Sequence, residues 1–223
     1  MVAKICGITT LEDALTALAA GANLLGFNFY PSSPRYISPA VSRPIVEVIR
    51  SLYPEATLVG VFVNAPVADV LQTLEMCRLD LAQLSGDEPP EEVKRLGPRA
   101  FKAFRPRSRD EVEAFLRAYP LRPEPPACLV DALRPGFYGG SGQRADWQVA
   151  MWLSQRVPIL LAGGLTPENV GEAITQVRPW GVDVASGVES APGRKDKVRM
   201  EMFLRRAHEA YAALSLDNSR GGS

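Results

Sequence analysis

The sequence predicts an α/β protein, a single-domain (β/α)8 TIM barrel, on three observations. Short β-rich runs alternate with helix-like segments, eight units can be read with none left over, and the 223 residues allow roughly 28 per unit. That is tight but sufficient for right-handed crossovers between parallel strands. Strands are expected at Val2–Cys6, Leu24–Tyr30, Thr57–Val63, Leu79–Leu84, Ala100–Phe104, Cys128–Ala132, Pro158–Ala162 and Val182–Ala185. Helices are expected at Leu11–Ala20, Arg43–Leu52, Val67–Cys77, Pro90–Leu96, Arg109–Tyr119, Trp147–Gln155, Pro167–Gln176 and Lys197–Leu214. Thr10 before Leu11 reads as an N-cap, and Thr166 before Pro167 reads as an N-cap with proline at the first helical position. The rival architecture, an open doubly wound sheet, usually carries a glycine-rich phosphate loop after its first strand. Cys6-Gly7-Ile8-Thr9 lacks that pattern, which favours the barrel. Pro120–Pro126 reads as a stiff loop before the sixth strand. The barrel domain is expected to occupy residues 1–215, with a flexible tail over 216–223.

Composition narrows the function classes. A chain 46% hydrophobic has material for a substantial core, and its unpatterned glycines and prolines exclude a collagen-like or disordered chain. Lys+Arg and Asp+Glu both number 25, so no general field attracts nucleic acid or an anionic membrane. Ala14 to Pro34 carries no charge and is long enough to raise a membrane span. Gly21, Asn23, Gly26, Asn28 and Pro31 interrupt it, and a helical first half gives way to a strand. The N-terminus lacks the basic-then-apolar pattern of a signal peptide. Three widely spaced cysteines (Cys6, Cys77, Cys128) point to reduced thiols in a cytoplasmic protein. Monomer and homodimer are both compatible with the sequence.

In such a barrel the active site forms at the carboxyl ends of the strands. Gly163-Gly164 and Ser186-Gly187, after the seventh and eighth strands, either turn the chain or let backbone N–H groups approach an anion. Two such pairs at neighbouring strand ends favour phosphate, and hence a small phosphorylated metabolite. Cys6 is either a small buried hydrophobe or a base or nucleophile with a lowered pKa. Asp131 follows an apolar strand and either caps the next loop or faces a ligand. Lys4 shares a strand face with Cys6, and Asp183 on the strand that closes against the first is its expected counter-charge. Arg35 offers a bidentate fork to a carboxylate. His208, the sole histidine, lies far along the last helix and is read as a surface residue, so a histidine triad or histidine-rich metal site has no material.

These residues, taken together, resemble the phosphoribosylanthranilate isomerase family. The likeness is carried by Lys4-Ile5-Cys6-Gly7-Ile8-Thr9, Gly26-Phe27-Asn28-Phe29-Tyr30 with Ser33-Pro34-Arg35-Tyr36, and Gln83-Leu84 with Gly86-Asp87-Glu88. It continues through Asp131 with Gly139-Gly140-Ser141-Gly142, Asp146-Trp147, Leu161–Leu165 with Asn169-Val170, Gly181–Val184, Ser186–Glu189, Pro192-Gly193 and Lys195-Asp196. The resemblance implies an Amadori rearrangement of N-(5-phosphoribosyl)anthranilate to 1-(2-carboxyphenylamino)-1-deoxyribulose 5-phosphate in tryptophan biosynthesis. It implies Asp131 as general acid and Cys6 as general base. Arg35 would hold the anthranilate carboxylate, Gly163, Gly164, Ser186 and Gly187 the phosphate, and Gln83 and Gly142 further parts of the substrate. No metal and no cofactor is implied. Asp131 must carry its proton when it acts and Cys6 must lose one, so the pocket needs two different environments. The sequence departs from the family pattern at Ser85, where histidine is common, at Ala185, where serine is common, and at Ala145, which takes the place of an aromatic; Ser141 for threonine is a mild change. Two alternatives remain: a related phosphosugar barrel isomerase such as the histidine-pathway enzyme, expected to carry aspartate where Cys6 stands, and a non-catalytic barrel that only binds a phosphorylated ligand.

Overall fold

A computed structural model describes residues 2–131 and 147–220, with side chains described as far as residue 214. The order is β1 (Val2–Cys6), α1 (Leu11–Ala19), β2 (Leu24–Asn28), α2 (Pro39–Leu52), β3 (Thr57–Phe62), α3 (Val67–Met76), β4 (Leu81–Leu84) and α4 (Pro90–Leu96). It continues with β5 (Ala100–Phe104), α5 (Arg109–Ala118), β6 (Cys128–Asp131), α6 (Trp147–Ser154), β7 (Ile159–Ala162), α7 (Val170–Val177) and β8 (Gly181–Val184). A short hairpin, β9 (Glu189–Ala191) and β10 (Arg194–Lys195), precedes α8 (Lys197–Arg220). Strands β1 to β8 pair in sequence order and β8 pairs with β1, closing the expected (β/α)8 barrel.

Parallel strands covered on both faces must be apolar on both, and β7, Ile-Leu-Leu-Ala, is buried throughout. The inward residues Leu24, Val59, Leu81, Phe101, Leu129 and Leu160 pack across the barrel axis. The outward faces meet the helices in a larger layer that includes Ile5, Leu25, Leu58, Val130 and Leu161. Residues two apart share a face. Cys6 therefore follows Val2 and Lys4 inward, and Asp131 follows Leu129.

Helix starts follow capping chemistry. Thr10 accepts from Asp13 N at 3.1 Å and Ser108 from Glu111 N at 3.2 Å, each cap worth about 1 kcal/mol. The uncharged stretch from Ala14 to Pro34 resolves into the end of α1 and all of β2. Among the described residues no helix is long and apolar enough to cross a membrane. The Pro120–Pro126 stretch is a loop whose carbonyls at Pro125 and Pro126 receive Arg122, which also reaches Pro98 O at 2.6 Å.

Three helices differ from expectation by more than two residues at one end. Helix α2 begins at Pro39, capped by Ser38, rather than at Arg43. Pro44 removes the N–H that would bond to Ala40 O, but burial of Ile45, Val46 and Ile49 carries the helix through. Helix α7 starts at Val170, because Thr166 and Asn169 close a turn of their own. Asn169 Oδ1 accepts from Thr166 N at 2.8 Å, and Thr166 Oγ1 from Glu168 N at 3.2 Å. Helix α8 runs on to Arg220, past the expected start of the tail at 216, while residues 221–223 lie outside those described.

Candidate active site

A cavity of about 720 Å³ opens at the carboxyl ends of the strands. Leu129 and Ala162 of the inner core line it, with Gln83, Ser85, Arg105, Asp131 and Asp183 among the polar residues around them. The polar residues of the barrel interior form a connected set. Register places Lys4 opposite Asp183, and Lys4 Nζ donates to Asp183 Oδ1 at 2.7 Å, as the sequence led us to expect. The same nitrogen donates to Gln83 Oε1 at 2.9 Å, and Gln83 Nε2 donates to Ser85 Oγ at 3.1 Å. Gln83, expected to touch substrate, therefore has its carbonyl and one amide N–H engaged inside the protein.

Cys6 is buried, as are Cys77 and Cys128, and none forms a disulfide. Burial pushes the Cys6 thiol above its ordinary range; Lys4 and, more weakly, Lys195 oppose that, while Asp183 adds to it. The reading of a thiol with a lowered pKa is thus corrected for the free protein, because burial outweighs the two ammonium groups. Burial works against the Lys4 charge, yet Asp183 and then Cys6 outweigh it and hold the ammonium above the usual lysine range. Gly26 makes room for both groups. A Cβ there would lie 2.9 Å from Cys6 Sγ and 3.1 Å from Lys4 Nζ.

Asp131 ends β6 with its side chain partly exposed, and Oδ2 accepts from Arg105 Nε at 2.8 Å. Arg105 follows β5 directly. The signal that singled out Asp131, a charge straight after an apolar strand, applies equally to Arg105.

The anion-binding expectation falls on a built surface. Gly163 and Gly164 adopt left-handed φ values of +95° and +66°. Asn169 Nδ2 donates to Gly164 O at 2.9 Å and fixes that loop. Ser186 and Gly187 open a single 3-10 turn, Ser186–Val188, with Ser186 exposed. Gly187 lies so close to the β7 loop that a Cβ would meet Leu165 O at 1.9 Å. Arg199 Nε donates to Gly187 O at 3.1 Å, bringing a guanidinium to the same place. Gly142 lies outside the described residues, as do the Gly139–Ser141 run and Asp146.

Arg35 sits in the loop after β2, which Asn28 and Ser33 fold: Asn28 Nδ2 donates to Ser33 Oγ, and Ser33 Oγ accepts Arg35 N, both at 3.1 Å. Its fork is not empty. Nε donates to Glu189 Oε1 at 2.8 Å and Nη2 to Glu189 Oε2 at 2.6 Å. Glu189 and Lys195 received no role from the sequence. A Pro192-Gly193 turn flanked by opposite charges was the available sign of a hairpin that pairs them. His208 is exposed on α8, as expected.

Comparison with known proteins agrees with this geometry. The family model described as "PRAI: N-(5'phosphoribosyl)anthranilate (PRA) isomerase" matches residues 3–206. A relative named N-(5'-phosphoribosyl)anthranilate isomerase, from Trichlorobacter lovleyi, is 49% identical over 208 residues, covering 93% of this chain and 98% of that protein. The crystal structure of phosphoribosyl anthranilate isomerase from Thermotoga maritima is 41% identical, with a TM-score of 0.82, over 94% of this chain and 100% of the other. A structure of such an isomerase in complex with reduced 1-(o-carboxyphenylamino)-1-deoxyribulose 5-phosphate is 39% identical, with a TM-score of 0.79, over 94% and 100%.

Proposed function

The chain belongs to the N-(5'-phosphoribosyl)anthranilate isomerase family, and from that premise we propose how its own residues divide the reaction. The enzyme converts N-(5-phosphoribosyl)anthranilate to 1-(2-carboxyphenylamino)-1-deoxyribulose 5-phosphate in tryptophan biosynthesis. Asp131 gives its proton to the ribose ring oxygen as the C1–O bond breaks, leaving an open-chain iminium. Cys6 then takes the C2 proton, the electron pair of that C–H bond forms the enolamine, and tautomerisation delivers the ketone. Cys6 must first release its own proton to water, which burial opposes; the buried Lys4 ammonium beside it stabilises the resulting thiolate, and that thiolate is the form that accepts the C2 proton.

The observation that carries this assignment is the inward face shared by the two groups. Cys6 continues the Val2–Lys4 face of β1, and Asp131 continues the Leu129 face of β6 into the cavity. The glycine pairs after β7 and β8, with Arg199 at hand, receive the phosphate, and Arg35 receives the anthranilate carboxylate. The Ser85 hydroxyl, held by Gln83, lines the cavity at the position where histidine is common in the family.

Turnover is measured as loss of anthranilate-type fluorescence with substrate generated in the cuvette. Wild type turns over, while Cys6→Ala and Asp131→Asn each fall by about 100-fold or more and still bind the reduced product analogue. Turnover that survives Cys6→Ala moves the base elsewhere. We also propose a cytoplasmic enzyme, supported by three buried free thiols that suit a reducing compartment. Every side chain of the proposed site comes from one chain, so monomer and homodimer are both expected to be active. Sedimentation alongside activity at falling concentration tests this.

A further inference from the structure

Three loops meet beside Arg35, and one buried carboxylate joins them. Glu189 opens β9 and stands directly opposite Lys195 in the β9–β10 hairpin. Its side chain, 4% exposed, accepts from Arg35 through both carboxylate oxygens and from Lys195 Nζ at 2.9 Å. Lys195, itself fully buried, also donates to the carbonyls of Cys6 and Ala185, the residues that end β1 and follow β8. The backbone repeats the connection. Thr9 Oγ1 donates to Gly193 O at 2.9 Å, and a Cβ on Gly193 would lie 2.5 Å from Pro34 O. The Arg35 stem is fixed as well, because it lies over Gly7 where a Cβ would meet its Cδ at 2.6 Å.

Burying a carboxylate and an ammonium beneath a partly exposed guanidinium is an expensive way to pin a hairpin, since apolar side chains of similar size do that as well or better. The arrangement accomplishes something apolar packing cannot. Glu189 engages Nε and Nη2 of the guanidinium, which fixes its plane and leaves Nη1 to a ligand. Left alone, that carboxylate would also cancel the Arg35 charge. Lys195 offsets it, so the three groups together carry one net positive charge, which suits a single incoming anion.

We propose that Glu189 is a positioning residue for the isomerase reaction: braced by Lys195, it orients Arg35 toward the ring carboxylate of the substrate and thereby sets selectivity for a carboxylated aromatic amine. This deepens the reading of Arg35 given above and rests on it.

Binding of two probes tests it: reduced 1-(o-carboxyphenylamino)-1-deoxyribulose 5-phosphate, and its phenylamino counterpart lacking the carboxyl group. Wild type prefers the carboxylated probe and Arg35→Ala loses that preference. Glu189→Gln is expected to weaken the carboxylated probe by about 10- to 100-fold, the value of one charge-assisted contact, and the other probe by less than about twofold. Glu189→Asp retains the charge beside Lys195, which protects the fold, but its shorter arm cannot hold both nitrogens. It loses most of the same preference. Equal weakening of both probes in the Glu189 variants means a structural role only, and unchanged preference means no role; either overturns the inference. If wild type and Arg35→Ala bind the two probes alike, the Arg35 reading fails instead, and the inference with it.

Discussion

Gly26→Ala is the sharpest test of the proposed base, because the change is one methyl group placed on a known spot. The new Cβ would lie 2.9 Å from Cys6 Sγ, 3.1 Å from Lys4 Nζ and 3.2 Å from Cys6 Cα. Ordinary contact distances are about 3.5–4.0 Å, so the thiol must retreat by about 0.6–1 Å. The methyl group also presses on the backbone of β1 at Cys6, so the retreat is not a simple rotation of Sγ. Overpacking of this kind costs about 1–3 kcal/mol, which for a chain of this size lowers Tm by about 2–12 °C. Catalysis should suffer far more than stability. A reacting group misplaced by about 1 Å costs on the order of 100-fold in kcat. The fluorescence assay reads kcat, calorimetry reads Tm, and binding of the reduced product analogue shows that the pocket persists. A second comparison sharpens the result. In a Cys6→Ala background the 2.9 Å contact is gone while those to Lys4 Nζ and the Cα of residue 6 remain, so adding Gly26→Ala should cost less stability than it does in wild type. A folded Gly26→Ala enzyme with wild-type kcat would refute the assignment of Cys6.

Three further outcomes follow from the same geometry. Lys4→Met strands the buried Asp183 and should cost about 3–5 kcal/mol by urea unfolding, whereas Lys4→Met with Asp183→Leu should recover most of that. Equal losses in the single and double variants would show that the pair is not coupled. Gly187→Ala drives a methyl into Leu165 O and should weaken the product analogue by about 10- to 100-fold while circular dichroism stays native; unchanged affinity removes the Ser186–Val188 turn from the phosphate site. The third concerns pH. Burial lifts Cys128 from 9.0 to about 12, so the folded state keeps this thiol protonated where the unfolded chain has released it. Its contribution is complete below pH 9 and is lost as pH rises toward 12, a fall of about 4 kcal/mol over that window. The raised Lys4 acts with the same sign. Urea midpoints between pH 8 and pH 11 should therefore decline less steeply in Cys128→Ala than in wild type, and parallel declines would contradict the burial argument.

The barrel was legible because its strands are buried on both faces and so read as compact apolar runs between capped helices. β1 and β5 have the bounds expected from their residues alone. The Lys4–Asp183 pair was legible for a related reason: a lysine on an inward face must have a partner, and closure of the barrel names the strand that supplies it. What stayed hidden is instructive. The first turn of α2, Pro39–Ser42, was not read as helix, and what carries that helix past Pro44 is burial of Ile45, Val46 and Ile49 against the rest of the fold, which no local signal reports. Arg35 and Glu189 are 154 positions apart, on loops whose meeting depends on the completed fold, and no local spacing reports it. The Gln83 amide reads as a ligand contact until Lys4 and Ser85 are seen to hold it. Arg105 could have been found, because it satisfies the same criterion as Asp131.

The ion pair across the seam of the barrel also ties activity to the order of synthesis. Lys4 and Asp183 are 179 residues apart, so the thiol of Cys6 is synthesised long before part of its charged surroundings. Until the eighth strand docks, the N-terminal strand carries an ammonium with no counter-ion and a cysteine with no pocket. A chain made only as far as β7 is thus denied a working site, and arrival of β8, closure of the sheet and assembly of the proposed base become a single event.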